Sequence, residues 1–137
     1  MPDLVLDAWA VMVWLKGQQP AADRMRALLE AAERRERRLS MSIVNLGEVF
    51  YLSVKARNLA YGRQVLETLQ PRVMTISAHD ELVMLAATLK ARHAISYADG
   101  FAAATALLQD APLVTGDPEL RAMAATEKAL QLEWIGR

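Results

Sequence analysis

Apolar positions along the chain fall into two kinds of run. Leu4-Val5-Leu6, Leu39-Ser40-Met41, Val73-Met74-Thr75-Ile76, Leu113-Val114-Thr115 and Leu132 to Ile135 are short and rich in aliphatic or β-branched side chains, which predicts strands. The first has no polar alternation, the pattern of a strand buried on both faces of a parallel sheet. The stretches between these runs are longer. From Ala21 to Arg38, Met25, Leu28, Leu29 and Ala32 recur at helical spacing with charges on the other face, so an amphipathic surface helix is expected. Further helices are expected over Ala8 to Leu15, from an N-cap at Ser42 to about Arg57, and over about Tyr61 to Leu69. Ser77-Ala78-His79-Asp80 followed by Glu81 reads as a capping box ahead of Leu82 to Arg92. Ala98 to Leu108 is nearly all apolar and predicts a buried helix. After the turn Gly116-Asp117-Pro118, a last helix is expected over Glu119 to Thr126.

Strands and helices thus alternate with short connections, which predicts an α/β fold of three layers, α/β/α, around a central, mainly parallel sheet. In open sheets of this kind the binding crevice lies beyond the carboxyl ends of the strands. Asp7 and Asp117 both fall there.

Composition narrows the chemistry. A chain of 137 residues, 53% of them hydrophobic, is expected to form a single domain over residues 1–137. Lys plus Arg number 16 and Asp plus Glu number 16, so no global field draws the protein to nucleic acid or to a membrane, and a polyanion must be held locally. Cysteine is absent, which excludes disulfide scaffolds, thiol nucleophiles, iron-sulfur clusters and Cys-based zinc sites. His79 and His93 have neither HxxxH nor HxH spacing, so a histidine-rich metal site is not expected either. No basic segment precedes the first apolar run, and the uncharged stretch Ala8 to Leu15 is well short of the roughly 20 residues of a membrane span. A soluble, cytoplasmic protein with no membrane association is the expectation.

Oxygen ligands remain, and four acids stand in apolar surroundings where an unpaired charge costs several kcal/mol. Asp7 follows Leu4-Val5-Leu6. Glu48 has Val44 and Leu52 one helical turn away on either side, with no Lys or Arg within four residues. Asp99 is the only charge between His93 and Asp110, and Asp117 leaves a core strand through a tight turn. Asp99 also suits a helix N-terminus, and Asp117 suits an ordinary turn. If the four meet at the carboxyl edge of the sheet, a divalent cation is the simplest relief of their repulsion, and hard oxygen ligands select Mg²⁺ or Mn²⁺. Such an ion suits phosphoryl chemistry with water as nucleophile.

The same residues resemble the PIN-domain ribonucleases, in particular the VapC-like toxins of toxin-antitoxin pairs. Val5-Leu6-Asp7-Ala8 resembles the strand that ends in that family's first metal-binding Asp, and Asn45-Leu46-Gly47-Glu48-Val49 its helix-borne Glu with the preceding Asn. Ser96-Tyr97-Ala98-Asp99 before an Ala-rich helix resembles the third motif, and Leu113-Val114-Thr115-Gly116-Asp117 the fourth. The resemblance implies Mg²⁺- or Mn²⁺-dependent endonucleolysis of RNA, homodimerisation and inhibition by a cognate antitoxin protein. It assigns Asp7, Glu48, Asp99 and Asp117 to the metal and to catalysis, with Asn45 and Thr115 in support. One departure is Trp9, where the family commonly carries Ser or Thr. That substitution keeps open a catalytically inactive PIN-like interaction module as the alternative. It also argues against a haloacid-dehalogenase-type phosphatase, which needs a second Asp there. A phosphorylated receiver domain fits less well, because no Lys follows a late strand.

Among Trp9, Trp14, Phe50, Tyr51 and Tyr97, core packing is the expected fate of most. The polar tips of Tyr51 and Tyr97 make these two the better candidates for stacking on single-stranded RNA. The run Glu33-Arg34-Arg35-Glu36-Arg37-Arg38 reads as a solvated helix end rather than a phosphate contact.

Overall fold

A computed structural model describes residues 3–137; Met1 and Pro2, which the single-domain expectation includes, lie outside the described residues. The elements are β1 (Asp3–Leu6), α1 (Ala8–Lys16), α2 (Ala21–Glu33), β2 (Arg38–Ser42), α3 (Ile43–Ala56), α4 (Leu59–Leu69), β3 (Val73–Ile76), α5 (Asp80–Arg92), α6 (Tyr97–Gln109), β4 (Leu113–Thr115), α7 (Pro118–Thr126) and β5 (Leu132–Trp134). The strands form a sheet in the order β3-β2-β1-β4-β5. Every pairing in it is parallel, where the sequence led us to expect a mainly parallel sheet.

Alternation along the strands builds two cores. Leu4 and Leu6 point to one face of β1 and pack with Leu39, Met41 and Val114 against α1, α2, α3 and α4. Val5 points to the other face and joins Leu113, with Leu82, Ala86 and Leu89 of α5, the alanines of α6 and Leu120 and Met123 of α7. These are the three layers. Leu6, Leu39 and Leu113 are essentially inaccessible to water, and each such side chain contributes roughly 1.5–3 kcal/mol relative to exposure. Gly100 allows α6 to sit close on α5, since a Cβ there would come 2.8 Å from the Ala86 carbonyl oxygen.

Three boundaries differ from the sequence expectation. The α2 helix ends at Glu33 rather than Arg38, because Arg35 turns into a left-handed conformation (φ 61°) and Arg38 is drawn into β2 opposite Asp3 of β1. Pairing with the sheet overrides a helical pattern that would have continued. Asn58 caps α4 by accepting the Tyr61 N–H at 2.8 Å, so that helix starts at Leu59. His79, not Ser77, caps α5, its ring nitrogen accepting the Leu82 N–H at 3.3 Å. Among the described residues no helix is long and apolar enough to cross a membrane.

Candidate metal and catalytic site

From β1 the chain builds outward through β2 to β3, then returns to place β4 on the opposite side of β1. The crevice of such a sheet opens where the direction reverses, beyond the ends of β1 and β4. Asp7 immediately follows β1, and Thr115 ends β4 with Asp117 two residues on.

Asp7 is held by both oxygens. It is the N-cap of α1, where Oδ1 accepts the Ala10 N–H at 2.8 Å, and Oδ2 accepts the Thr115 hydroxyl at 2.5 Å. Only 3% of the residue is exposed. Burial pushes its carboxyl from 3.8 up to about 7; the Thr115 and Ala10 bonds oppose this, and the nearby charges of Asp99 and Asp117 add to it. The Thr115 oxygen, itself fully buried, also accepts the Asp117 N–H at 3.0 Å. One hydroxyl therefore fixes the end of β1 to the turn that leaves β4.

Asp117 caps α7, with Oδ1 accepting the Glu119 N–H at 2.9 Å and Pro118 in the first turn, a position that loses no hydrogen bond to proline. Asp99 lies in the first turn of α6, whose N-cap Ser96 accepts the Asp99 N–H at 3.0 Å. Burial raises the Asp99 carboxyl, Asp117 adds to the rise, and Ser96 opposes it. The cap and turn roles allowed for Asp99 and Asp117 are thus real and coexist with the crevice. Because α1, α6 and α7 all begin here, the positive ends of three helix dipoles face the acids and partly compensate them.

Glu48 enters from α3. Burial raises its carboxyl, the Asp99 charge raises it further, and the Asn45 amide opposes the rise. Asn45 is buried and its Nδ2 donates to the Ala98 carbonyl at 2.9 Å, tying α3 to the start of α6. It thereby sets Glu48 against Asp99. A cavity of about 250 Å³ results, walled by Trp9, Met12, Lys16, Glu48, Asp99 and Asp117. Asp7 is buried beneath it rather than on its wall.

Sequence reasoning missed Glu119. Carboxylate oxygens of Asp99, Asp117 and Glu119 lie within 4.8 Å of one another. In sequence Glu119 reads as a first-turn helix acid; its position two residues beyond a crevice Asp was the available signal. Among the aromatics, Tyr51 and Tyr97 were the expected substrate contacts, but neither walls the cavity; Trp9 does, while also packing against the core. Tyr51 and Tyr97 are 51% and 46% exposed, and Tyr97 meets Phe101 edge-on at 5.0 Å.

Among the described residues none of Asp7, Glu48, Asp99, Asp117 and Glu119 forms an ion pair. An all-oxygen donor set of mutually repelling carboxylates, among which Asp7, Glu48 and Asp99 hold protons more tightly than usual, fits a hard divalent cation rather than a soft metal.

Comparison with known proteins agrees with the fold. A family model described as "PIN domain" matches residues 4–126. No curated protein matches the sequence. Among solved structures, the chain is similar to VapBC2 from Rickettsia felis bound to a promoter DNA fragment (TM-score 0.71, 17% identity, covering 96% of this chain and 98% of that one). It is also similar to VapBC-1 from nontypeable Haemophilus influenzae (TM-score 0.67, 22% identity, 98% and 97%). A third similar structure is Mycobacterium tuberculosis VapC20, a sarcin-ricin loop cleaving toxin (TM-score 0.68, 16% identity, 87% and 93%).

Proposed function

The chain belongs to the PIN-domain family, and from that premise we propose that it is a Mg²⁺- or Mn²⁺-dependent endoribonuclease hydrolysing RNA phosphodiester bonds. We further propose that it is the VapC-like toxin of a type II toxin-antitoxin pair. The observation that carries this reading is the gathering of five acids, none of them ion-paired among the described residues, at the switch point of the sheet. Asp7, Glu48, Asp99 and Asp117 would hold the ion, with Glu119 as a further oxygen donor. When bound, a divalent ion lowers the pKa of water and neutralises charge on phosphodiester oxygens.

The chain's own residues prepare that site. Thr115 fixes the rotamer of Asp7, leaving the remaining lone pairs of a doubly anchored carboxylate aimed by the fold. Asn45 holds the spacing of Glu48 from Asp99 across two helices. Asp7, Asp99 and Asp117 are each bonded to backbone or hydroxyl groups, so they need little reorganisation on loading. The cognate antitoxin, a homodimer and a cytoplasmic setting belong to the same proposal. The antitoxin is supported by similarity to chains solved as members of VapBC toxin-antitoxin systems.

The test is cleavage of single-stranded and hairpin RNA by the purified protein with Mg²⁺ or with EDTA. Cleavage that needs the ion supports the reading; cleavage that survives EDTA, or none with either ion, overturns it. Trp9 on the cavity wall favours the second reading, a catalytically inactive PIN-like interaction module. Calorimetric titration with Mn²⁺ separates the two, since an inactive module would show no binding that Asp99→Asn abolishes.

A further inference from the structure

The acidic cavity has one cationic wall residue. Lys16 lines it beside Glu48, Asp99 and Asp117, yet forms no ion pair or hydrogen bond among the described residues. Both facts need an account, because a flexible ammonium near surplus carboxylates ordinarily pairs with one of them. Its backbone explains the separation. Lys16 is the last residue of α1, and Trp9 is at the opposite end of the same helix, so the two stand about 10 Å apart along the axis. Asp7 caps the start of α1, and the acids crowd that end. Trp9, Met12 and Lys16 are spaced i, i+3 and i+7, which puts them on one face of the helix. That face looks across the cavity at Glu48 and Leu52 of α3. The cavity is therefore polarised along its length, with carboxylates at the head, an aromatic ring and a thioether between, and a solvated ammonium at the tail.

This arrangement matches one nucleotide of an extended strand. A flat, half-buried indole gives a stacking surface for an unpaired base, and an ammonium one helix-length away gives a counter-charge for a phosphate. The indole is also fixed in place: it lies on Gly116, where any Cβ would come 2.1 Å from the ring, so the β4 turn leaves room for Trp9 and for nothing larger than glycine beneath it. We infer that α1 forms a nucleotide subsite next to the acids, with Trp9 stacking on the base and Lys16 binding the phosphate that flanks the scissile one. The inference rests on the RNA-cleaving reading above and adds to it a substrate direction along α1. The dipole at the C-terminus of α1 accounts for a Lys at that end, but not for its position on the wall of the acidic cavity.

The experiment compares wild type, Lys16→Gln, Lys16→Arg and a remote control, Lys90→Gln on α5, in two readouts. The first is steady-state cleavage of a single-stranded RNA with Mg²⁺. The second is binding of the same RNA by fluorescence anisotropy in the Asp99→Asn background, titrated over a salt series. Expected for Lys16→Gln is a KM raised about tenfold with a smaller loss in kcat, and a plot of log K against log salt that is shallower by about 0.7, the single-strand value for one phosphate. Lys16→Arg restores most of both, and Lys90→Gln matches wild type. Trp9→Leu should abolish the quenching of indole fluorescence on binding. If wild type cleaves RNA while Lys16→Gln keeps its KM and its salt slope, the subsite is overturned and the nuclease reading stands. If wild type neither cleaves nor binds RNA, the nuclease reading falls and the subsite falls with it.

Discussion

Strand β1 carries an aspartate at each end, and the two live under opposite electrostatics. Asp3 at the amino end lies opposite Arg38 in the register of β2, and the two side chains pair at 2.8 Å with solvent on both. Asp7 at the carboxyl end is 3% exposed, has no cation within pairing distance among the described residues, and faces other acids. Cations are not scarce: 16 Lys and Arg balance 16 acids over the whole chain. The pairs they form among the described residues, such as Arg34 with Glu36, Arg72 with Glu33 and Arg92 with Glu127, all lie outside the crevice. The contrast teaches that an acid such as Asp3 is met by a cation and by water at the surface, whereas Asp7 at the switch point has neither and is relieved only by a proton or by an added cation.

The sharpest way to break that contrast is to neutralise each aspartate in turn. Asp7→Asn should lower RNA cleavage by about a thousandfold or more, the scale on which removing a preorganised electrostatic group acts. Single-turnover cleavage measures this. Asp7→Asn retaining cleavage within tenfold of wild type would remove Asp7 from the proposed site and leave the two ends of β1 alike.

A second test uses pH without touching chemistry. The folded Asp7 carboxyl is raised to about 7 from 3.8, so between those values the native protein holds a proton that the unfolded chain has released. The stabilisation is complete below about 3.8 and is lost as pH rises through about 7. Metal-free protein should therefore lose stability from pH 4 to pH 8, by at most about 4 kcal/mol from this group. Asp7→Asn should flatten the slope, so that at pH 8 the variant melts higher than wild type while its RNA cleavage is gone. Mn²⁺, which favours deprotonated ligands, should stabilise wild type far more at pH 8 than at pH 5. Urea melts in EDTA and in Mn²⁺ at the two pH values check both signs.

Much of this was legible in the sequence, for a physical reason. Short apolar runs and capping residues act locally, so the five strands and the Ser42 start of α3 could be read directly. Apolar flanks likewise marked Glu48 and Asp7, because an unpaired charge has no other business in a core. What stayed hidden is non-local. Nothing in Arg34 to Arg38 tells that β1 will draw Arg38 into a strand, which is why α2 was expected to run on. Glu119 has an ordinary helix-start neighbourhood, and only the convergence of the starts of α6 and α7 brings Asp99 within reach of it. Trp9 looks like core in sequence; it packs against the core on the side of α1 and reaches the cavity wall because Gly116, lacking a Cβ, leaves room for its ring.

The link between the two crevice strands offers an intermediate test. Thr115→Val keeps shape and removes one oxygen, which costs Asp7 Oδ2 its donor, leaving the Ala10 N–H on Oδ1, and costs the Asp117 N–H its acceptor. Loss of such an outer partner commonly weakens metal affinity by roughly ten- to a hundredfold. Calorimetric titration of Mn²⁺ into the variant should show that loss, and Thr115→Ser should recover most of it. An unchanged affinity would mean that Thr115 serves only to close β4 onto β1.

The smallest effect should come from the amino end of β1, and its smallness is what the contrast requires. Asp3→Asn breaks the pair with Arg38, whose side chains are 38% and 49% exposed, so solvent already screens most of the attraction. Exposed pairs of this kind contribute roughly 0–1 kcal/mol. The expected loss in urea melts is below about 1 kcal/mol, and 1 M salt should remove the same increment from wild type and none from the variant. RNA cleavage should stay within about twofold of wild type, because the sheet separates Asp3 from the crevice and the strand register is also set by Leu4 against Leu39 and Val5 against Leu113. A stability loss of several kcal/mol, or a fall in cleavage, would show that the amino end of the strand carries tension to the carboxyl end, and that the two aspartates cannot be treated as independent.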